Sequence, residues 1–382
     1  MSRNPQPVWA PVLCVVGARP NFVKIAPILA ALKADGRIPA RLCHTGQHYD
    51  AELNDAFFSD LDIPRPDTRL EVGSGSHAVQ TAEIMKRFEP VLDTERPSAV
   101  LVVGDVNSTL AAAIVAAKKQ IPVIHVEAGL RSFDRTMPEE INRILTDQVS
   151  DLLFVTEPAA LENLAREGIP AEHVKLVGNV MIDALKRQLP AATPAVRTLA
   201  ASGGVPEAGY AVLTLHRPSN VDDPAVLGPL LDSIRAIGRD LPVIFPIHPR
   251  TQARLEAYGM TGLLIAPEIR ALPPIGYLDM LGLMREARLV LTDSGGLQEE
   301  TTALGVPCLT LRENTERPVT VSEGTSTLVG NRPAAIATAY AEFRSGGSKR
   351  GRIPALWDGR AAERITSELA VWLAARHNRS TR

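Results

Sequence analysis

Val12-Leu-Cys-Val-Val16, continuing into Gly17-Ala-Arg-Pro-Asn21-Phe-Val-Lys24-Ile-Ala-Pro27, is the stretch that decides the fold. The first five residues are apolar and rich in valine, the composition of a buried strand. Gly17 ends the run. Beyond it Ile25, Ile28, Leu29 and Leu32 recur at helical spacing. They predict a helix with Asn21 as N-cap, Gly36 as stop and a local kink at Pro27.

The same strand–turn–helix unit recurs. Ala99–Val103 runs into Gly104-Asp105 and a helix over 109–119, and Pro122–Val126 runs into Glu127-Ala-Gly129. Leu152–Val155 precedes a helix ending near Gly168. Strands alternating with helices imply a parallel sheet covered on both faces. After a seam rich in Ala, Pro and Gly (190–206) a second series begins. Its strands are expected at 210–215, 243–247, 263–266, 289–292 and 308–311, with helices at 226–237 and 277–287 among them. Ser345–Arg352 reads as a flexible basic loop, and a last helix is expected over 361–375.

A chain of 382 residues exceeds one ordinary core. The expected fold class is α/β, with two Rossmann-like doubly wound domains facing a central cleft. Domain 1–186 would carry carboxylates, domain 187–363 would bind the ligand, and 364–382 would form a helix crossing back to the first domain.

Bulk composition narrows the function. Lys plus Arg is 41 and Asp plus Glu is 43, a formal net charge of −2 that lacks the basic footprint of a nucleic-acid binder. An anionic ligand would therefore be held by a few placed cations. Cys14, Cys43 and Cys308 each lie in an apolar run and form no paired spacing, the pattern of core thiols in a reducing compartment. The N-terminal residues lack a signal peptide's apolar stretch, and no apolar run approaches the ~18 residues of a membrane span. A cytoplasmic location is expected.

Chemistry-bearing residues gather where strands end, the place where open α/β sheets bind ligands. In the first half they are Arg19, Gly104-Asp105 and His125-Val-Glu127. In the second they are His216-Arg217, His248-Pro-Arg250 and Asp293-Ser294-Gly295-Gly296. The last run opens a helix whose free N–H groups and dipole suit a phosphate. Its bland alternative is a tight turn with an ordinary cap. Glu300, one turn on, suits ribose hydroxyls.

Arg19 and Lys24 suit a diphosphate, against the alternatives of a salt bridge or a solvated lysine. His216 suits donation to a leaving diphosphate, against a capping role; for His248 the structural part is favoured. Asp105, Glu127 and Glu139 form a set fit for proton transfer. Glu139 and Glu140 also sit where any carboxylate stabilises a helix N-terminus. No histidine or cysteine spacing suits a metal, and the Gly-x-Gly-x-x-Gly and Walker patterns are missing, so no metal and no cofactor are expected.

Together these blocks resemble the non-hydrolysing UDP-N-acetylglucosamine 2-epimerases. The resemblance rests on Gly17–Pro27, Gly104-Asp105, His125–Arg131, Pro138–Arg143, Asp293–Glu300 and Thr315–Pro318, six blocks in register from residue 12 to about 330. It implies the two-domain fold shared with one class of glycosyltransferases, a homodimer, and interconversion of UDP-GlcNAc and UDP-ManNAc for polysaccharide biosynthesis. It assigns acid/base roles to Asp105, Glu127 and Glu139. It places His216, Arg19 and Ser294–Gly296 at the diphosphate and Glu300 at the ribose. Lys24, Arg143 and Arg317 would contact sugar or phosphates.

The chain also departs from many members. Leu130–Met137 is a shorter connection, of an archaeal type; Pro218-Ser-Asn follows His216-Arg217 where Arg-Glu is common; and Ile275 and Met280 stand near the expected uracil site. Rival readings are an epimerase of a related UDP sugar such as a diacetamido uronic acid, a hydrolysing epimerase, a glycosyltransferase, and a silent UDP-sugar sensor.

Overall fold

The computed structural model describes residues 9–47, 58, 60–264, 267–347 and 349–380. The chain divides at Ala184/Leu185 and again at Pro354/Ala355. The first compact unit comprises what precedes the first boundary and follows the second, and the other unit lies between.

In the first unit, β1 (Val12–Val16), β2 (Ala40–His44), β3 (Thr68–Arg69), β4 (Ala99–Val103), β5 (Val123–Ala128), β6 (Leu152–Val155) and β7 (Val174–Leu176) form a parallel sheet of order 3-2-1-4-5-6-7. β1, β4, β5 and β6 are buried at every residue, as strands covered on both faces must be. Side chains of β1, β4 and β5 pack with Ile84, Phe88 and Leu92 of helix His77–Glu95 and with alanines of helix Asn107–Lys118, while Leu153 and Val155 of β6 pack with Ala160 and Leu164.

The helix after β1 spans Arg19–Asp35 and continues through Pro27. Its N-cap is Ala18, not Asn21. Asn21 lies three residues in, where its side-chain oxygen accepts from the N–H groups of Gly17 (3.1 Å) and Ala18 (3.2 Å) and its amide donates to the Val103 carbonyl (2.8 Å). Asn21 thus ties the ends of β1 and β4 together. Gly36 stops the helix in the left-handed region, as expected. The last helix, Ala361–Ser380, lies in this unit against Arg19–Asp35. Asp183 accepts from its first N–H groups, Ala361 (3.1 Å) and Ala362 (2.7 Å).

The second unit repeats the plan. β8 (Ala211–Thr214), β9 (Val243–Pro246), β10 (Ile269–Leu272), β11 (Leu289–Thr292), β12 (Cys308–Thr310) and β13 (Ser326–Leu328) run parallel in the order 10-9-8-11-12-13. Its first strand therefore sits beside its fourth, as β1 sits beside β4. The strand expected over 263–266 is misplaced. Thr261–Leu264 form a turn of 3-10 helix, residues 265 and 266 lie outside the described residues, and the strand follows at Ile269–Leu272.

Cys14, Cys43 and Cys308 are buried and unbridged. Burial pushes the Cys14 and Cys43 thiols up to about 12. Among the described residues no helix is long and apolar enough to cross a membrane.

Candidate functional site

In each unit the strand order reverses next to the first strand, and that switch point is where doubly wound sheets bind ligands. In the first unit the residues leaving the switch point are Gly17–Arg19 after β1 and Gly104–Asp105 after β4; Glu127 lies at the end of neighbouring β5. Three of the expected residues meet there. Lys24 and Glu127, 4% and 3% exposed, form an ion pair. Gly104, at φ 68°, passes beneath them: a Cβ on it would lie 2.8 Å from Lys24 Nζ.

Glu127 itself adopts φ 72°, where a residue with a Cβ is strained and which Gly alone visits freely. The pairing of β5 with β6 slips between Val126 and Ala128, the mark of a bulge. The bulge re-aims Glu127 out of the strand alternation. Strain of ~1–3 kcal/mol held at one residue is typical of functional sites.

Asp105, about one-fifth exposed, pairs with Arg143 Nη1 at 2.5 Å. Arg143 is buried between Asp105 and Glu140, reaching Glu140 Oε2 at 2.6 Å. Asn142 supports the same turn by donating to the Asp105 carbonyl at 2.9 Å. Glu140 serves the preceding connection through hydrogen bonds to its backbone. Its carboxylate accepts from the N–H groups of Ser132 (3.0 Å) and Phe133 (2.9 Å) as well as from Arg143, so it shapes the Leu130–Met137 connection. Glu139 sits half-buried in the first turn of helix Pro138–Gln148, and no hydrogen bond or ion pair joins it to Asp105 or Glu127. Arg19 opens its helix at the switch point, half-buried.

In the second unit the switch point carries His216 after β8 and Asp293–Gly296 after β11. Asp293, fully buried, was named in the sequence as part of its run but given no role of its own, yet it organises the turn. It accepts from the N–H groups of His216 (3.0 Å) and Arg217 (2.9 Å) and from Asn220 (3.1 Å), and it faces His216 Nδ1 at 2.9 Å. Burial alone would raise its carboxyl; the His216 ring and the two backbone donors bring it down to about 2. His216 is half-buried, its Nδ1 engaged by Asp293, and it does not cap a helix. His248 does, accepting from Arg250 N–H at 3.2 Å.

Ser294 occupies the N-cap position of helix Gly295–Leu304 without a side-chain cap hydrogen bond. Gly295 is glycine because of its neighbours: a Cβ would overlap the Arg317 guanidinium and come within 2.7 Å of Glu316 Oε1. Arg317 reaches Glu299 at 2.9 Å and Glu316 at 2.5 Å, and Arg312 reaches Glu316 at 2.7 Å. Against burial, these arginines hold the Glu316 carboxyl well below the usual range. The result is a buried arginine scaffold beside the helix start. Neither Arg312 nor Glu316 stood out in the sequence, because buried ion pairs leave no spacing signature.

Glu300 is buried and raised to about 7, by burial first and with Glu299 contributing, while the Tyr277 hydroxyl donating to it at 2.9 Å works the other way. Tyr277 was likewise unforeseen.

The family model for UDP-N-acetylglucosamine 2-epimerase matches residues 30–370. A UDP-N-acetylglucosamine 2-epimerase of Methanocaldococcus jannaschii is 42% identical over 92% of this chain and 96% of its own length. A UDP-2,3-diacetamido-2,3-dideoxy-D-glucuronate 2-epimerase of Pseudomonas aeruginosa is 41% identical over 84% of this chain and 88% of its own. The crystal structure of the M. jannaschii enzyme in complex with UDP-GlcNAc and UDP superposes with a TM-score of 0.87 at 41% identity, covering 94% of this chain and 99% of that one. Two doubly wound parallel sheets, the switch-point residues and a sequence match over most of the length agree, and the chain belongs to the UDP-N-acetylglucosamine 2-epimerase family of isomerases.

Proposed function

We propose that the protein interconverts UDP-N-acetylglucosamine and UDP-N-acetylmannosamine by breaking and remaking the anomeric C–O bond. The C2 proton of an acetamido sugar is weakly acidic. Departure of UDP from C1 creates an oxocarbenium-like centre beside C2 and makes that proton far easier to remove. One carboxylate takes it, leaving 2-acetamidoglucal and UDP. Protonation of C2 from the opposite face, with return of the UDP oxygen to C1, inverts the centre and restores the atom balance. The sequence of steps needs two proton-transfer groups and a clamp on UDP.

The observation that carries this reading is Glu127, a strained carboxylate ion-paired with Lys24 beside the Asp105–Arg143 pair at one switch point. Asp105, Glu127 and Glu139 are assigned to proton transfer in this reading. Arg19, Lys24 and Arg143 offset the negative charge that develops on the departing UDP. His216, Ser294–Gly296 and Arg317 take the diphosphate, and Glu300 the ribose. The matching reaction in the M. jannaschii relative supports the sugar.

Incubation with UDP-GlcNAc in heavy water, followed by proton NMR, tests the scheme. Deuterium entering C2 together with a UDP-ManNAc signal is the expected result, and a C2 that keeps its proton refutes it. Asp105→Asn and Glu127→Gln are each expected to lower turnover at least ~100-fold, the scale of a lost general acid or base, with UDP affinity retained. Normal turnover in either variant removes that residue from the proton-transfer set.

A second reading, C2 epimerisation of a diacetamido uronate carried by UDP, is favoured by the P. aeruginosa relative. Parallel assays with both sugars decide between them. Accumulation of free ManNAc with UDP would instead identify a hydrolysing enzyme. The same reading has the protein act as a homodimer in the cytoplasm, supplying polysaccharide precursors; light scattering of the purified protein tests the dimer.

A further inference from the structure

Behind the first switch point lies a buried polar cluster that the scheme above does not use. His125, on β5 two residues before Glu127, is fully buried. Its Nδ1 lies 2.6 Å from Asp147 Oδ1 and its Nε2 lies 2.8 Å from the Gly104 carbonyl oxygen. Asp147 is also fully buried. It accepts from Gly129 N–H at 3.0 Å and from Arg131 Nη2 at 2.6 Å, and Arg131 continues to Glu167 at 2.6 Å. Burial would raise the Asp147 carboxyl, but His125 and Arg131 lower it, so it is an ionised acceptor. A carbonyl oxygen is an acceptor too. Both ring nitrogens of His125 therefore lie within hydrogen-bond distance of acceptors, and the contact to Gly104 is a hydrogen bond when Nε2 carries the hydrogen.

Gly104 is held from two sides. Its N–H donates to the Val126 carbonyl at 3.0 Å, and its carbonyl accepts from His125. Gly104 also lies in the left-handed region, directly before Asp105 and beneath Lys24. Fixing its carbonyl fixes the peptide plane from which Asp105 departs. On the other side, Asp147 fixes Gly129, itself at φ 77°, two residues beyond the strained Glu127.

We propose that His125 is a positioning residue: clamped by Asp147, it holds the Gly104 carbonyl and so sets the separation of Asp105 from Glu127. This rests on the assignment of those two carboxylates to proton transfer. Misplacement by about 1 Å costs about 100-fold in rate, so loss of the clamp should be read in kcat, not in affinity.

Two substitutions separate positioning from plain stability. In His125→Gln the amide nitrogen takes the place of Nε2 and still donates to Gly104. In His125→Asn it takes the place of Nδ1, reaches Asp147 only, and leaves the Gly104 carbonyl without its donor. Both lose the imidazole ring. The Gln variant is expected to keep kcat within about 5-fold of the parent, and the Asn variant to lose about 100-fold, with KM and UDP affinity unchanged in both. Equal losses in the two variants, or a loss confined to KM, overturn the proposal. In the parent protein, which needs no substitution, nitrogen-15 NMR at pH 8 should show hydrogen on His125 Nε2. A bare Nε2 removes the donor and overturns it as well. Failure of the parent to exchange the C2 proton would instead count against the epimerase reading, and the NMR result would stand apart from it.

Discussion

Replacing Asp293 with asparagine keeps the shape of a buried side chain and removes its charge. In the parent, Oδ2 receives the N–H groups of His216 (3.0 Å) and Arg217 (2.9 Å) and the Asn220 amide (3.1 Å), while Oδ1 faces His216 Nδ1 at 2.9 Å. Three donors converge on one position, so the new amide must put its oxygen there and its NH2 against Nδ1. A donor then faces the ring, so Nδ1 has to accept and the hydrogen bond that orients the ring is reversed. The Asp293 carboxyl is brought down from 3.8 to about 2 although burial pushes it the other way. At about 1.4 kcal/mol per tenfold, that corresponds to roughly 2.5 kcal/mol of stability linked to the ionised side chain.

The sign follows from the direction of the shift. A depressed carboxyl stabilises the fold fully above its unfolded value of 3.8, and the contribution is lost as pH falls through about 2. Asp293→Asn retains the neutral hydrogen bonds, so the expected cost is about 2 kcal/mol at pH 7, shrinking steadily below pH 4. Urea unfolding of parent and variant at pH 7 and pH 3 measures it, and calorimetry at pH 7 should show UDP bound about tenfold more weakly. Matching unfolding curves at pH 7 together with unchanged UDP affinity would refute the reasoning.

Glu300→Gln should behave in the opposite sense. The Glu300 carboxyl is raised from 4.5 to about 7, chiefly by burial, so its stability contribution is present below 4.5 and lost as pH rises through 7. The variant should match the parent at pH 4 and exceed it by about 3 kcal/mol at pH 8; thermal unfolding at the two pH values reads the difference, and a parent as stable as the variant at pH 8 contradicts it. Gly295→Ala would force a methyl group into the space of the Arg317 guanidinium and to within 2.7 Å of Glu316 Oε1, both fixed by ion pairs. Overpacking of this kind costs about 1–3 kcal/mol, and a variant with parental stability and UDP affinity would show that the helix start tolerates displacement of its arginine scaffold.

Much of the fold was legible because a parallel strand buried on both faces is written as a continuous apolar run. Val12–Val16, Ala99–Val103, Leu152–Val155 and Leu289–Thr292 fall where the sequence puts them. Short edge strands were not. Thr68–Arg69, Val174–Leu176 and Ser326–Leu328 have two or three residues each, too few for a periodic signal. The 263–266 expectation failed because a brief apolar run suits a turn of 3-10 helix as well as a strand. Asn21 was read as an N-cap from its residue type, but an asparagine three residues inside a helix can serve the same end by reaching back to the N-terminal N–H groups.

For the candidate site, sequence alone determined which chemical groups are present and at which strand ends they lie: Lys24, Asp105, Glu127, His216 and the Ser294–Gly296 turn stand out because polar residues and glycines interrupt apolar runs. What only the tertiary structure decided is their pairing and geometry. That Lys24 meets Glu127, that Arg143 reaches Asp105, and that Asp293 orients His216 depends on strand order, which brings together residues from about 40 to about 100 positions apart. The left-handed twist at Glu127 is likewise invisible in the sequence, because a glutamate adopts it only when a bulge and the surrounding hydrogen bonds compel it. Local periodicity is set by neighbours along the chain, whereas the energy of a buried ion pair depends on separation in space, a quantity that exists only once the sheets have formed.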